Sequence, residues 1–189
     1  MNRRKFVVGS LGVGALAIGG PWVATGSAAT EDELAFANFG ASTEFLVKDF
    51  YTKALDAKVV SGAQNATLKR GRSAAGQHVK ALSDLLVGAG DVAPAAEDFE
   101  FQWPDGTFRS EKEIVATGTA VLRALLGAYQ TAAASVSDPA FRVLYASLAA
   151  SVSQQLATLA ARAGQNAIEP FPVAMDLEAA TSALGAYLG

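Results

Sequence analysis

Four stretches of this chain repeat their apolar residues at helical spacing, and turn signals separate one from the next. A period near 3.6 lines up one face of a helix and scatters over both faces of a strand, so it commits the chain to helices. The first stretch opens at Thr30-Glu31-Asp32-Glu33, a capping box in which a Thr and a Glu three residues on satisfy free N–H groups. Three acidic residues there also suit the positive end of the helix dipole. The pattern then runs to about Asp56. Leu34, Ala37, Ala41, Glu44, Phe45, Lys48 and Tyr51 share one side, with Phe36, Phe39, Val47 and Phe50 on the side adjoining. So wide an apolar surface predicts a largely buried helix.

The second pattern lies between about Ser61 and Val87, with a seam of Leu68, Gly71, Ala75, His78, Leu82 and Leu85 and a stop at Gly88. Gly71 and Gly76 either weaken this helix or let a neighbour come close. Ser110-Glu111-Lys112-Glu113 is a second capping box. It starts a helix to about Ser135, with Ile114, Thr117, Val121, Leu125 and Ala128 inward. Ser137-Asp138-Pro139 opens the fourth, Pro being well suited to a first helical position. Phe141, Leu144, Leu148, Val152, Gln155 and Leu159 share its inner side, and Gly164 stops it. Pro170-Phe171-Pro172 reads as extended. A short last helix, about Asp176 to Leu188, presents Leu177, Ala180, Leu184 and Leu188 on one face.

Between the second and third helices lies a long connection, residues 88–109. Phe99, Phe101 and Trp103 alternate with polar residues there, and Pro104-Asp105-Gly106 signals a turn. A loop of this length usually crosses over something. The other links are short. The expected fold is therefore all-α: a four-helix bundle with one long crossover and a short C-terminal helix.

The first 29 residues read differently from the rest. Arg3-Arg4-Lys5-Phe6 is a twin-arginine pair followed by an aromatic, and an uncharged apolar run continues to about Ala24. Small residues close it at Gly26-Ser27-Ala28-Ala29. This is the pattern of a twin-arginine export signal, with Arg3, Arg4 and Phe6 as its signature. About 19 apolar residues can also span a bilayer. Yet Gly9, Gly12, Gly14, Gly19 and Gly20 form helix poorly, and Pro21 follows. The segment is thus a signal peptide or a retained anchor touching the membrane through residues 5–24, and residues 30–189 form the helical domain. The expected location is periplasmic or extracellular.

Composition narrows the function. The first 29 residues hold three of the 15 Lys and Arg and none of the 18 acidic residues. The remainder carries 12 against 18, a net charge of −6, which argues against a nucleic-acid partner. With no cysteine, disulfides, thiolate metal sites and cysteine nucleophiles are excluded. No Gly-x-Ser-x-Gly elbow occurs, and no glycine-rich loop follows a strand. Lys69-Arg70-Gly71-Arg72 is a small basic cluster, read as a solvated helix face or a contact for acidic headgroups.

The helix order resembles the ferritin-like superfamily, and most closely its secreted bacterial branch of ferritin-like or desiccation-related type. The residues that carry the likeness are Glu44-Phe45-Leu46-Val47-Lys48-Asp49-Phe50-Tyr51 on the first helix, His78-Val79-Lys80-Ala81-Leu82 on the second, and the aromatic crossover Asp98-Phe99-Glu100-Phe101. It covers most of residues 30–172.

The resemblance implies a di-iron or di-manganese centre, built from a Glu on each of two helices and Glu-x-x-His on each of the other two. Here Glu44 and His78 match. Ala75 stands at the second helix's Glu position, and Val121 or Leu122 at the third helix's. Val152 and Gln155, or Ser151 and Gln154 in a shifted register, replace the last Glu-x-x-His. Two of six ligands remain, and one carboxylate cannot balance two divalent ions.

Glu44 and His78 are therefore a relic metal pair, facing each other across the bundle, or else Glu44 pairs with Lys48 at i,i+4. No catalytic residue and no cofactor is expected, with iron or manganese as the alternative. The expected role is a non-enzymatic structural, binding or assembly component, with an unknown protein partner or self-association. The alternatives are a divergent metal-binding or oxidative-stress protein, and an accessory subunit of a membrane complex held by an uncleaved leader. Small residues along the third and fourth helices permit close approach of a neighbour. Phe99, Phe101 and Trp103 are either loop packing or a partner surface.

Overall fold

The computed structural model describes residues 29–162, 164 and 172–188. The leader signature Arg3, Arg4 and Phe6, the apolar run behind it and Pro170-Phe171 lie outside the described residues. Among the described residues five α-helices follow in order: α1 (Glu31–Asp56), α2 (Gly62–Gly88), α3 (Glu111–Ser135), α4 (Pro139–Arg162) and α5 (Leu177–Leu184). Among the described residues none of these is long and apolar enough to cross a membrane. The chain is a four-helix bundle with a crossover and a short fifth helix, as its periodicity predicts.

The capping signals act where the sequence puts them. Thr30 Oγ1 accepts from Glu33 N–H, and the Glu33 carboxylate accepts from Thr30 N–H, completing the first box. At the start of α3, Ser110 Oγ accepts from Glu113 N–H, one half of the box that the sequence suggests. Asp138 Oδ1 accepts from Ala140 N–H as Pro139 begins α4.

α1 lies along α2 and α3 along α4, and the two hairpins meet chiefly through α1 and α3. Between them sits one continuous core. Leu46, Val47, Phe50 and Ala54 from α1 meet Leu68, Leu82 and Leu86 from α2, with Leu122, Leu125, Phe141, Leu148 and Val152 from the second hairpin. The wide apolar surface read on α1 is the reason it sits centrally: half of its residues are buried.

The crossover lies on the bundle. A single 3-10 turn, Ala96–Asp98, interrupts it. Trp103 Nε1–H then donates to Asp49 Oδ2 at 2.7 Å, anchoring the connection to α1. Phe101 and Phe99 stack with ring centroids 5.6 Å apart, and Phe99 continues to Phe45 at 5.7 Å.

One boundary differs from expectation. The last helix ends at Leu184, not Leu188. A 3-10 turn, Gly185–Tyr187, succeeds it, and Leu188 forms an antiparallel bridge with Phe101. Gln102 N–H donates to Tyr187 O at 2.9 Å, and the Trp103 and Tyr187 rings lie 5.1 Å apart. The chain end leaves the helix because the crossover offers backbone and aromatic partners there. A helix of eight residues has too little cooperativity to resist.

Candidate functional site

Glu44 lies in the middle of α1, and its side chain is fully buried. Its neighbours come from two other helices. His78 on α2 sets Nδ1 2.9 Å from Glu44 Oε1. Facing a carboxylate, that nitrogen carries the proton and donates. Tyr129 on α3 donates its O–H to the same Oε1 at 3.0 Å. The second carboxylate oxygen, Oε2, is buried without a hydrogen-bond partner. His78 keeps a small exposure, 12% of its side chain, so it is the cluster's edge toward solvent.

A second polar contact joins α1 to α4. Tyr51, two turns beyond Glu44, donates its O–H to Gln155 Oε1 at 2.9 Å. The other end of that amide, Nε2, is also buried without a partner. Both tyrosine hydroxyls are held well above the ordinary phenol range. For Tyr51 and Tyr129 alike, burial is the larger cause and the Glu44 charge adds to it. Neither phenol ionises in water at ordinary pH, and both act only as neutral donors.

Two glycines make this arrangement possible. A Cβ on Gly71 would lie 2.6 Å from Tyr51 Cε2, so only glycine lets that ring pass between α1 and α2. Gly40 stands one turn before Glu44. A Cβ there would fall 3.1 Å from Tyr129 Cε1 and 3.2 Å from its hydroxyl, so the small residue lets Tyr129 reach over α1.

Of the two pairings open to Glu44 from sequence, the structure makes the one with His78. Lys48 is exposed. The remaining positions of the six-ligand pattern are filled as the sequence reads. Ala75, Val121, Leu122 and Val152 are all buried and apolar, and Gln155 is turned to Tyr51. Among the described residues, no three His, Cys, Asp or Glu side chains come together. Sequence reasoning missed Tyr129. It lies four residues after Leu125 on the inward seam, where a tyrosine reads as one more large core residue.

Residues 32–165 match the ferritin-like domain family. The chain belongs to that family. No curated protein matches it.

The family's chemistry calls for two metal ions, so the donor set here can be tested against them. Two divalent cations need several anionic oxygens. The interior offers one carboxylate, and its Oε1 already accepts from Tyr129 and His78. The amide held by Tyr51, that of Gln155, leaves Nε2 free, a donor that does not ligate. Among the described residues, what remains is a single free carboxylate oxygen and two neutral ones, Thr119 Oγ1 and Gln130 Oε1, which add no charge to balance the ions. The residues do not fit a di-metal centre.

The candidate partner surface, Phe99, Phe101 and Trp103, is half-buried on the bundle. Trp103 also contacts Phe50 and Phe108, at 5.5 and 5.6 Å.

Proposed function

We propose that this ferritin-like chain is exported by the twin-arginine route as a folded bundle and works outside the cytoplasm as a non-enzymatic structural, binding or assembly component. Its interior is held by hydrogen bonds in place of metal ions. The observation that carries this reading is at Glu44, where His78 and Tyr129 both donate to Oε1 of a carboxylate that would have to serve two ions alone.

The outer side of α4 supports a partner-binding role. From Val143 to Ala161 that helix bears no charged residue, and its exposed residues are small, from Val143, Ala146, Ser147 and Ala150 to Ser153, Thr158 and Ala161, with Gln154 the one long side chain among them. An uncharged, small-residue face suits close packing against another surface better than it suits solvation.

The test is isolation from the producing host after export, with metals counted per chain and native mass measured. The expected result is far less than one iron or manganese per chain, in a particle heavier than the monomer. Near-stoichiometric metal that is lost in Glu44→Ala and in His78→Ala would overturn the metal-free reading. A monomer without bound partners would overturn the assembly role. Replacing Arg3 and Arg4 together by Lys should leave the protein in the cytoplasm, and unchanged export would refute the route.

A further inference from the structure

Glu33 does more than cap α1. Its Oε2 accepts from Thr30 N–H at 2.8 Å. Its Oε1 accepts from Ser137 N–H at 2.9 Å and Asp138 N–H at 2.8 Å, on the turn that enters α4. The Glu33 carbonyl accepts from Tyr145 O–H at 3.1 Å. Though it lies in the first helical turn, Glu33 is buried. One carboxylate thus ties the start of α1 to the start of α4.

Thr30 is the residue on which that tie begins. It is exposed and extended, with φ −75° and ψ 160°, and Ala29 before it is half-exposed. In sequence it follows Ser27-Ala28-Ala29, with small residues one and three positions ahead of it. That is the pattern signal proteases cut behind.

We infer that the leader is removed at the Ala29–Thr30 peptide bond, and that the cut itself creates an ion pair between the new Thr30 ammonium and Glu33. The inference rests on the export reading above. Water adds across the bond: Ala29 leaves as a carboxylate, and Thr30 nitrogen becomes a protonated amine. That nitrogen already lies 2.8 Å from Glu33 Oε2 and needs no movement. A neutral amide donor is exchanged for a charged one, so a bond already assisted by the carboxylate's charge becomes an ion pair.

A positive charge at a helix start ordinarily opposes the dipole. Here Glu31, Asp32 and Glu33 offset it from the same helix. Across the gap stand Asp138 and Arg142, the latter donating its guanidinium to Val136 O at 2.8 Å. Register decides the effect. A cut one residue earlier leaves Thr30 nitrogen a neutral amide, and a cut one residue later removes the cap. The mature form is therefore closed more firmly at this end than its precursor.

Two measurements test this. The mass of the protein recovered after export should correspond to a start at Thr30. Any other new N-terminus overturns the inference and leaves export standing, whereas an intact Met1 chain retained in the cytoplasm sinks both. Separately, a chain beginning at Thr30 is compared with one carrying Ser-Ala-Ala ahead of it, each with and without Glu33→Gln.

Pairing raises the folded-state pKa of the amine above its ordinary value of about 7.7–8.0. The added stability is therefore complete below that range and lost as pH rises through the raised value. The Thr30-start chain should melt higher at pH 6, lose that advantage by pH 10, and show none in Glu33→Gln. Equal melting at pH 6 overturns the pair. Should Glu33→Gln fail to fold, titration of the amine by NMR in the unsubstituted chain decides. A pKa above about 8 supports the inference, and one at or below it refutes it.

Discussion

Tyr129→Phe isolates one of the two hydrogen bonds that hold the buried Glu44 carboxylate. It deletes one oxygen and leaves the ring in place, so no cavity opens and Gly40 still meets an aromatic edge. What is lost is the hydroxyl donated to a fully buried carboxylate at 3.0 Å. A hydrogen bond to a charged group contributes about 1.5–3 kcal/mol. The upper part of that range applies, because Glu44 Oε2 has no partner and His78 would be the sole remaining donor. A loss of about 2–3 kcal/mol lowers the melting temperature of a domain this size by roughly 4–12 °C.

The control is in the same core. Tyr145 lies beside Tyr129, ring centroids 6.2 Å apart, but donates to a neutral carbonyl, that of Glu33. Tyr145→Phe should cost about 0.5–1.5 kcal/mol. Urea unfolding of both variants in the leaderless chain gives the comparison. A third variant completes the reasoning. Replacing the whole cluster (Glu44→Met, His78→Leu, Tyr129→Phe) removes the buried charge with its donors, and such apolar replacements are often neutral or stabilising. It should be at least as stable as the original. Tyr129→Phe costing less than Tyr145→Phe, or a triple variant no better than Tyr129→Phe alone, would refute the argument.

Three further outcomes follow from other parts of the bundle. Gly71→Ala pushes a methyl into the Tyr51 ring, which is buried and cannot swing away, so about 1–3 kcal/mol should be lost along with the bond to Gln155, read by urea unfolding. For Glu33, burial works against the charge, but N–H groups of Thr30, Asp138 and Ser137 outweigh it and hold the carboxyl below its ordinary 4.5. Its contribution is therefore present above pH 4.5 and lost as pH falls through the lowered value, and Glu33→Gln should flatten that acid limb of the stability profile. Of the two tryptophans, Trp22 precedes Thr30, so Trp103 is the lone tryptophan of a chain starting at Thr30 and can be excited selectively at wavelengths beyond tyrosine absorption. Deleting residues 185–189 strips Tyr187 and Leu188 from the crossover and should red-shift its emission, while far-ultraviolet helicity changes little.

The helices were legible because their signals are local. Capping residues, seam periodicity and stop glycines each act within a turn or two, and α1 to α4 begin and end close to where those signals stand. The end of α5 was not legible, since Leu188 is drawn off by Phe101, a residue 87 positions away. The same contrast runs through the site. Glu44 and His78 were readable as a pair because each helix seam points to one interior. Tyr129 was not, because on its own seam it reads as one more large core residue, and its hydroxyl matters only once α3 is set against α1. Likewise Glu33 announced a capping box but not its second oxygen, which serves a turn 104 residues on.

That asymmetry bears on how the proposed metal-free interior would keep the shape of the family's bundle. The ligands to a di-metal centre form a minor part of the four-helix interface, which is otherwise apolar. Removing a carboxylate from a site that keeps its metals leaves charge uncompensated, and removing the metals alone leaves carboxylates repelling one another. Neither penalty applies to the set found here. Ala75, Val121, Leu122 and Val152 extend the apolar core into the ligand positions, and one acid remains with two donors on it. His78, Tyr129 and Gln155 give that interior hydrogen bonds across three helix pairs, α1–α2, α1–α3 and α1–α4. Directional bonds fix the register of helices as ligation would, and they do so without an ion that must be acquired before folding is complete.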